Sequence, residues 1–401
     1  MESANSVDVS AMEPMLPEAG PLAGPAMALV SEAGALGGQL HPVTRSSVAD
    51  LLRTINTYHS NLIEGHDTRP RDIERALEGH LSTSRERRAL QLEALAHVGV
   101  QRLAEQRLAD PALNIATPEF LLFLHRSFYA RMPEEWRKVQ GREGEKEQTV
   151  RPGILRGEDV VVGRLRPPPA GALPRFLERF AEVYDPGRLQ GLEAVIAVAA
   201  SHHRLLWIHP FLDGNGRVAR LFTDAYLRRV GLGGHGLWTA SRGLARHRAR
   251  YFTALADADA VRRNDLDGRG PRSLEALMAF CAFFLGVCLD QVRFMSGLLD
   301  LPGLLARVED YAGRRAAGGL GDELPAASGR LLTEALLRGE IARGDAARVT
   351  GTSERTARRI LAALLRDRLL LSTTPKGPVR LGLPLHAVGF YFPQLFPDIV
   401  D

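Results

Sequence analysis

A short loop between two apolar helical segments constrains this chain more than any other part of it. Residues 192–206 and 221–227 have the apolar spacing of helices, and the sequence between them includes the run HPFLDGNGRVAR at residues 209–220. In that run, Gly214 and Gly216 permit a tight turn that exposes backbone N–H groups at the start of the second helix. Because a helix N-terminus favours a bound anion, the loop predicts a phosphate-binding site.

This run resembles the signature of the Fic family, H-P-F-x-[D/E]-G-N-G-R, and matches it at every specified position. Arg220 also agrees with a second arginine that usually follows the signature. The resemblance implies an enzyme that transfers a nucleotide monophosphate, usually AMP from ATP, to a hydroxyl of a target protein. It further implies that ATP is bound by Gly214, Asn215, Gly216, Arg217 and Arg220.

The residue types in the loop suit that chemistry. His209 has an ordinary pKa near ~6.5, which suits a base that removes the proton of the attacking hydroxyl. Asp213 is a hard oxygen ligand for Mg²⁺, or for Mn²⁺ in its place, bridging the phosphates. The Arg217 guanidinium and the glycine amides can neutralise phosphate charge. We expect Phe211 to anchor the loop in the core.

A second motif lies upstream, at residues 60–65, which read SNLIEG. It resembles the inhibitory motif [S/T]-x-x-x-E-[G/N] of Fic proteins, in which the glutamate pairs with the second arginine of the signature. The resemblance therefore implies that Glu64 pairs with Arg220 and keeps ATP in an unproductive pose until the glutamate is displaced. The alternative is a surface glutamate that precedes Gly65, a residue type that often ends a helix.

Two segments that lie between the helical patterns, 151–155 and 160–163, predict short strands joined by a turn. At the matching place, Fic proteins carry a β-hairpin flap that holds the modifiable segment of the target. The resemblance therefore implies that the target adds as a strand along Val160, Val161 and Val162. An ordinary surface hairpin is the alternative.

One further ATP contact follows from the resemblance. Residues 238–252 are similar to a later segment of the family core, which implies that Tyr251 contacts the nucleotide. The chain departs from the family here, because many members have Asn-Arg before this tyrosine and this chain has His247 and Arg248.

The C-terminal part has a pattern of its own. From residue 328 onward the sequence predicts a helix, a second helix, a tight turn, a third helix and two strands, an order that resembles a winged helix-turn-helix. Residues 343–380 contain nine basic and three acidic residues, a local net charge of +6. Arg355, Arg358 and Arg359 lie near the start of the third helix, where phosphate and base contacts would fall, so the pattern is compatible with DNA as a partner but does not select it. The alternative is a winged helix used for protein contacts or dimerisation.

The chain has 401 residues, which is enough for several domains with separate cores, and its formal net charge is only +4. We predict an all-α protein: a Fic helical bundle with a small β-hairpin flap, followed by a winged helix. The predicted order is a disordered Ala/Pro/Gly-rich tail (1–40), N-terminal helices with the inhibitory motif (41–112), the catalytic core (113–300), a helix and linker (301–327) and the winged helix (328–401).

The two cysteines, Cys281 and Cys288, lie seven positions apart in a helical pattern, which is too far for a disulfide. The N-terminus lacks the charged and apolar regions of a signal peptide. The apolar run at 276–289 is shorter than the ~20 residues that a membrane span needs. We therefore expect a cytoplasmic protein without a membrane partner.

The predicted function is autoinhibited transfer of AMP to Ser, Thr or Tyr hydroxyls of a target protein or of the chain itself, with removal of AMP as a second activity. One alternative is transfer of another group, such as UMP, phosphate or phosphocholine, on the same scaffold. The other is a non-enzymatic regulator that senses nucleotide and binds DNA. The intact GNGR run favours AMP transfer, and an intact His209 argues against the regulator, which has no need of a base.

Overall fold

The computed structural model describes residues 8–36, 38, 40–139, 147–320 and 323–396. The described chain is mostly helical, as predicted, with one two-stranded and one three-stranded antiparallel sheet. Its contacts divide it into two compact units. The predicted boundaries at residues 41, 113 and 301 do not coincide with these units, because each unit combines segments that are distant in the sequence.

The first unit takes its described residues from Met1–Gly34, Asn56–Gly233 and Thr239–Gln291. Helices α4, α5 and α8 pack on one another, and α7 packs on α8. The aromatic residues Phe120, Phe176, Phe211 and Phe222 are buried in its core. The helices that contribute to it are α1 (Ala23–Ala35), α2 (Pro42–Ile63), α3 (Pro70–Leu77), α4 (Arg85–Arg107), α5 (Pro118–Tyr129), α6 (Leu173–Val183), α7 (Leu192–Ile208), α8 (Asn215–Arg229), α9 (Ala240–Arg246), α10 (Arg248–Asp257) and α11 (Leu274–Leu299).

A buried polar network holds the end of α2 against α4. Asn56 donates to Gln101 at 2.9 Å, Gln101 donates to Thr57 at 3.0 Å, and the Thr57 hydroxyl lies 3.0 Å from His97 Nδ1. Buried polar groups that bond to one another in this way fix the relative position of the elements that carry them. The last turn of α2, which carries the predicted inhibitory motif, is therefore fixed beside α4.

The predicted disordered tail at 1–40 is wrong for its described part. Residues Val9–Met12 and Gly20–Leu22 form short 3-10 helices, and α1 follows. Large apolar residues are sparse here, but Met12, Met15, Leu22 and Leu29 are all buried. A few well-placed apolar side chains are thus enough to order the segment, although its average composition is typical of disorder. Residues 1–7, 37 and 39 lie outside the described residues.

The predicted strands at 151–155 and 160–163 are also wrong. The antiparallel pair of the first unit is β1 (Lys138–Val139) with β2 (Gln148–Thr149). Pro152 lacks the N–H that a strand ladder needs, and Gly153 has φ +72°, so the first segment cannot extend as a strand. The second segment keeps one isolated bridge, from Val162 to Leu165, which lies just beyond it.

Helix α11 continues beyond the apolar run at 276–289, so the length argument against a membrane span does not hold. Among the described residues it is the one helix long and apolar enough to cross a membrane by length and composition, and half of its most apolar window is buried inside the protein. The core helix of a soluble protein passes the same test. Cys281 and Cys288 on this helix are buried and free.

The second unit takes its described residues from Ala35–Ile55, Gly234–Trp238 and Val292–Asp401. It contains the elements predicted as a winged helix and one additional strand, β3. The predicted helix and linker at 301–327 begin with helix α12, as predicted, and this helix packs on α13 and α16. The elements are α12 (Leu301–Ala316), α13 (Ser328–Arg338), β3 (Glu340–Ile341), α14 (Ala346–Thr350), α15 (Glu354–Arg366), β4 (Leu370–Leu371), β5 (Val379–Leu381) and α16 (Leu385–Tyr391), with the strands in the order β3-β5-β4.

Candidate active site

The signature loop joins α7 to α8 through two left-handed residues. His209 ends α7 with φ 49° and ψ 60°, and Gly214 precedes α8 with φ 80°. Between them, Phe211 is fully buried and its ring stacks on that of His125, with centroids 4.0 Å apart. Phe211 therefore anchors the loop in the core, as predicted, and His125 is a buried packing residue.

Close approach explains both glycines of the loop. A Cβ at Gly214 would lie 2.7 Å from the Tyr129 ring, and a Cβ at Gly216 would lie 2.3 Å from Glu64 Oε1. Asn215 between them has a structural task, because its side-chain amide accepts from the Phe211 N–H at 2.9 Å and donates to the Phe211 carbonyl at 2.8 Å. The side chain of Asn215 thus shapes the loop, and its backbone N–H opens α8.

His209 lines a cavity of about 990 Å³, which Gly216 and Arg220 also line. Burial, with a smaller contribution from nearby Arg156, lowers the pKa of His209 to about 4, although a hydrogen bond to the backbone of Leu206 acts in the opposite direction. The imidazole is therefore neutral at pH 7. One ring nitrogen of His209 donates its N–H to the backbone of Leu206. The other ring nitrogen therefore carries a lone pair and can take a proton.

Arg220 is clamped to the end of α2 by three hydrogen bonds. Its NH2 group lies 2.5 Å from Glu64 Oε1 and 3.1 Å from the Ser60 carbonyl, and its Nε donates to the Ser60 hydroxyl at 2.9 Å. Burial favours the neutral form of Glu64, but the charges of Arg220 and then Arg217 outweigh it and hold the pKa of the carboxyl below its ordinary value. The structure thus brings together the two residues that the resemblance pairs.

The local sequence explains why Glu64 lies at this point. Gly65 adopts φ +89°, its N–H bonds to the Leu62 carbonyl at 3.1 Å, and the His66 N–H bonds to the Asn61 carbonyl at 2.9 Å. This pair of bonds is a Schellman cap, which ends a helix at a defined residue. Gly65 is therefore the helix-ending residue of the alternative interpretation, and this cap is also what places Glu64 beside the signature loop.

The other signature arginine, Arg217, lies between two carboxylates. Its NH1 group donates to Glu93 at 2.6 Å and its NH2 group donates to Asp213 at 2.9 Å. The Tyr129 hydroxyl also hydrogen-bonds to Asp213, and His66 Nδ1 lies 2.8 Å from Glu93. Sequence reasoning predicted Arg217 and Asp213 but missed Glu93, Tyr129 and His66.

Asp213 fits a cation held mainly by substrate phosphates. Burial favours its neutral form, but Arg217 and the Tyr129 hydroxyl outweigh it and hold the pKa of Asp213 below its ordinary value. Its side chain is 42% exposed, so the ionised oxygens are accessible. Among the described residues, no three His, Cys, Asp or Glu side chains cluster as metal ligands. One carboxylate is sufficient for Mg²⁺ when phosphates supply the other ligands.

Of the predicted flap residues, Val162 lines the cavity, and Val160 and Val161 precede it in the chain. Val162 and Leu165 exchange two backbone hydrogen bonds, at 3.0 and 2.9 Å, around a turn that begins at Gly163. Val161 and Val162 are exposed, and Val160 is partly exposed. The chain is therefore extended on either side of a tight turn, and the apolar side chains of Val161 and Val162 are exposed to solvent.

Arg156, which sequence reasoning missed, ties this segment to the signature loop. Its guanidinium is buried and donates to three backbone carbonyls: that of His209 at 2.9 Å, that of Glu158 at 2.8 Å and that of Pro168 at 2.5 Å. The backbone N–H of Arg156 donates to the Pro210 carbonyl at 3.0 Å. The flap segment and the catalytic loop are thus held by one side chain.

Tyr251 is buried and lines the same cavity. Its hydroxyl lies 2.7 Å from His202 Nε2, and His202 Nδ1 lies 2.7 Å from the Thr223 hydroxyl. The structure thus places Tyr251 in the cavity wall, with its hydroxyl already bonded inside the core.

Comparisons with known proteins agree with this geometry. The Fic/DOC family profile matches residues 115–227. The protein adenylyltransferase Fic of Drosophila erecta is 38% identical over 79 residues, which make up 20% of this chain and 16% of that protein. The corresponding protein of Drosophila grimshawi gives the same values.

Solved structures show the same fold at low sequence identity. A Fic domain containing signaling protein from Bacteroides thetaiotaomicron matches with a TM-score of 0.51 and 19% identity, over 68% of this chain and 95% of that chain. Fic-1 from C. elegans matches with a TM-score of 0.52 and 16% identity, over 70% of this chain and 74% of that chain. Residues 115–227 of this chain therefore match the Fic/DOC family, and the signature loop lies near the C-terminal end of that match.

Proposed function

We propose that this chain transfers AMP from ATP to a Ser, Thr or Tyr hydroxyl of a target protein, and that Glu64 keeps it inhibited. One observation carries the proposal: neutral His209, the N-terminus of α8 and a clamped Arg220 meet at a single cavity of about 990 Å³. The relatives named protein adenylyltransferase support the reaction class.

The chemistry follows from the positions of these groups. The target hydroxyl gives its proton to the lone pair of His209, and its oxygen forms a bond to the α-phosphorus of ATP. The bond from that phosphorus to the bridging oxygen breaks, and pyrophosphate leaves. Backbone N–H groups at the start of α8 stabilise the negative charge that develops on the phosphate oxygens. A divalent cation bound by Asp213 would neutralise further phosphate charge.

Inhibition follows from the bonds of Arg220. A terminal phosphate needs this guanidinium, but Glu64 and Ser60 already occupy it. Displacing Glu64 by phosphate exchanges one anion for another, whereas an empty arginine would leave a buried unpaired charge. The contact can therefore hold the site closed and still be exchanged for a productive ligand. The same carboxylate could also orient a water molecule for AMP removal, which we propose as a second activity.

We propose that the target segment lies along Val160, Val161 and Val162. Apolar side chains left in solvent at the rim of a reactive cavity favour a bound peptide. Extended backbone at such an edge can accept a further strand. A hydroxyl held on this strand would point toward His209, because Arg156 connects the segment to the carbonyl of that residue.

Incubation with Mg²⁺ and α-labelled ATP tests the proposal. We expect protein labelling by Glu64→Gly that is at least tenfold above the native chain, and no labelling when His209→Ala is added. Glu78→Gly is a matched control, because Glu78-Gly79-His80 ends α3 with the same three residues as Glu64-Gly65-His66.

Label transferred from γ-labelled ATP instead would replace AMP transfer by phosphate transfer. Equal labelling of the native chain and Glu64→Gly would refute the latch. Binding of ATP without label in any variant, with target proteins supplied, would favour the nucleotide-sensing regulator.

A specific observation favours a second function for the other unit, and we propose that α15 binds DNA. Arg355, Arg358 and Arg359 are all exposed on α15, whereas Ala357 and Ile360 face the core. A helix with a basic outer face and a packed inner face suits phosphate and base contacts in a groove.

A gel shift with random-sequence duplex tests this second function. Binding at low salt is expected to weaken steeply as salt rises, and Arg355→Ala with Arg359→Ala is expected to reduce the salt slope by about 2. If no shift is seen at low salt, α15 does not bind DNA, and the alternative, contact with another protein, is favoured.

A further inference from the structure

A buried carboxylate outside the signature controls the environment of Arg217. Glu93 on α4 is only 4% exposed and lies 2.6 Å from Arg217. A glutamate is seldom buried unless it is paired, so its position requires a cationic partner. The cationic partner here is the signature arginine itself, and the two side chains come from elements separated by 124 residues in the sequence.

The bonds of Arg217 show what Glu93 does. One end of the guanidinium binds Glu93 and the other binds Asp213, the residue that fits a cation. Within the described part of the chain, Arg217 Nε has no hydrogen-bond acceptor. Glu93 and Asp213 thus share Arg217. The bond of the arginine to one carboxylate weakens its hold on the second carboxylate.

We propose that Glu93 is a positioning residue that acts through Arg217. By pairing with this arginine, it raises the affinity of the phosphate site for a divalent cation and lowers its affinity for the ATP anion. This inference rests on the proposed nucleotide site. With Glu93 in place, the positive charge of Arg217 is shared between Glu93 and Asp213, and the added negative charge favours a divalent cation. Without that charge, Arg217 binds Asp213 alone, so the site attracts the cation less and the ATP anion more.

His66 holds Glu93 in place from the other side. Its Nδ1 lies 2.8 and 3.0 Å from the two Glu93 oxygens, and its side chain is 41% exposed. The hydrogen bond to Glu93 raises the pKa of His66, so removing His66 loses this contact and some positive charge but leaves the charge of Glu93. The effect of charge and the effect of a lost contact can therefore be separated by comparing Glu93→Gln with His66→Ala.

The test uses Glu64→Gly as the starting protein, so that no carboxylate competes with phosphate for Arg220. Adding Glu93→Gln is expected to lower the Kd of metal-free ATP by about threefold to tenfold, because one negative charge near the phosphates is removed. The same variant is expected to raise the Mg²⁺ concentration for half-maximal labelling by a similar factor. Calorimetry gives the first value and α-labelled ATP gives the second.

Matched controls show whether the two opposite effects, tighter binding of ATP and a higher requirement for Mg²⁺, are specific to Glu93. Glu105→Gln is the same substitution on α4, roughly 18 Å further along the helix, and is expected to change neither value. His66→Ala is expected to give smaller shifts than Glu93→Gln. If Glu93→Gln weakens both ATP and Mg²⁺, or changes neither, the inference is wrong. If no variant is labelled, AMP transfer fails, but the Kd of metal-free ATP still tests the role of Glu93.

Discussion

His209 illustrates how burial adapts a common residue to this reaction. An imidazole in water is half protonated at about pH 6.5, and its protonated form cannot accept the proton of a hydroxyl. Burial lowers the pKa of His209 to about 4, so the residue stays neutral well into the acid range. The loop that positions the base thus also keeps it in its active form.

The pH dependence of labelling follows from this shift. In Glu64→Gly, we expect the initial rate to change by less than twofold between pH 7.5 and pH 5.5, at constant saturating ATP. A histidine with an ordinary pKa would lose about tenfold over that range, because its neutral fraction would fall to about one in ten. Initial rates across the range, corrected for the folded fraction, make the measurement. A midpoint near 6.5 would show that His209 is solvated or that another residue is the base.

Sequence patterns could predict the residues that belong to compact motifs. Glu64 and Arg220 lie in two such motifs, and the structure places them 2.5 Å apart. Glu93 belongs to no motif, but one signal was present: Glu93, His97 and Gln101 recur every four residues on α4, and all three are buried. A polar row on the inner face of a helix indicates a buried network, although the sequence does not show which partners it meets.

At the scale of elements, the least predictable feature was the segment between β2 and α6. The run of valines from Val160 to Val162 suggested a strand, but Arg156 bonds to backbone carbonyls and holds the chain as a loop. The Arg156 side chain fixes the backbone of this segment, as backbone–backbone hydrogen bonds between strands do in a hairpin. Helices were easier to predict, because their apolar faces repeat over several turns.

Arg156 therefore carries the next prediction, which concerns how the flap segment is held. Arg156→Ala is expected to reduce labelling of a target protein by Glu64→Gly at least tenfold, because three backbone carbonyls lose their donor and the flap is released from His209. The affinity for ATP is expected to stay within threefold, as Arg156 does not bind Arg220 or the start of α8. Labelling rates against target concentration and ATP calorimetry measure the two effects.

Arg151→Ala provides the comparison for this variant, since Arg151 is an exposed arginine of the same segment. It is expected to label like its parent. Unchanged labelling by Arg156→Ala would mean that the flap position does not depend on this side chain. A parallel loss of ATP affinity would mean that Arg156 supports the whole loop.

At the scale of the whole molecule, the two units carry separate proposed functions. The first holds every residue of the candidate active site, from Glu64 on α2 to Tyr251 on α10. The second holds the basic helix α15. Sequence reasoning predicted both sets of elements but not the division of the chain. Contacts between residues 35–55 and 292–401 are distant in sequence, as in the hydrogen bond from Thr44 to the Leu336 carbonyl at 2.9 Å, and no local pattern predicts them.

The first unit is also expected to lose stability in mild acid, because it buries neutral histidines. Burial lowers the pKa of His97 and His202 to about 3 and that of His125 to about 4, and all three are fully buried. Below about pH 6.5 the unfolded chain takes up protons that the folded chain does not, so stability is lost as the pH falls below that value. Each histidine costs about 1.4 kcal/mol per pH unit there, or about 4 kcal/mol for the three at pH 5.5.

Thermal unfolding between pH 7.5 and pH 5.5 measures this loss, and we expect the midpoint to fall by roughly 10 °C. His97→Gln is expected to remove about 1.4 kcal/mol of the loss at pH 5.5, because glutamine does not titrate. His80→Gln is the control, since the His80 side chain is 68% exposed, and it is expected to leave the dependence unchanged. A midpoint that does not move down to pH 5.5 would show that these histidines are protonated in the folded protein. The buried polar network that holds α2 against α4 would then contain a charged His97 beside Thr57 and Gln101.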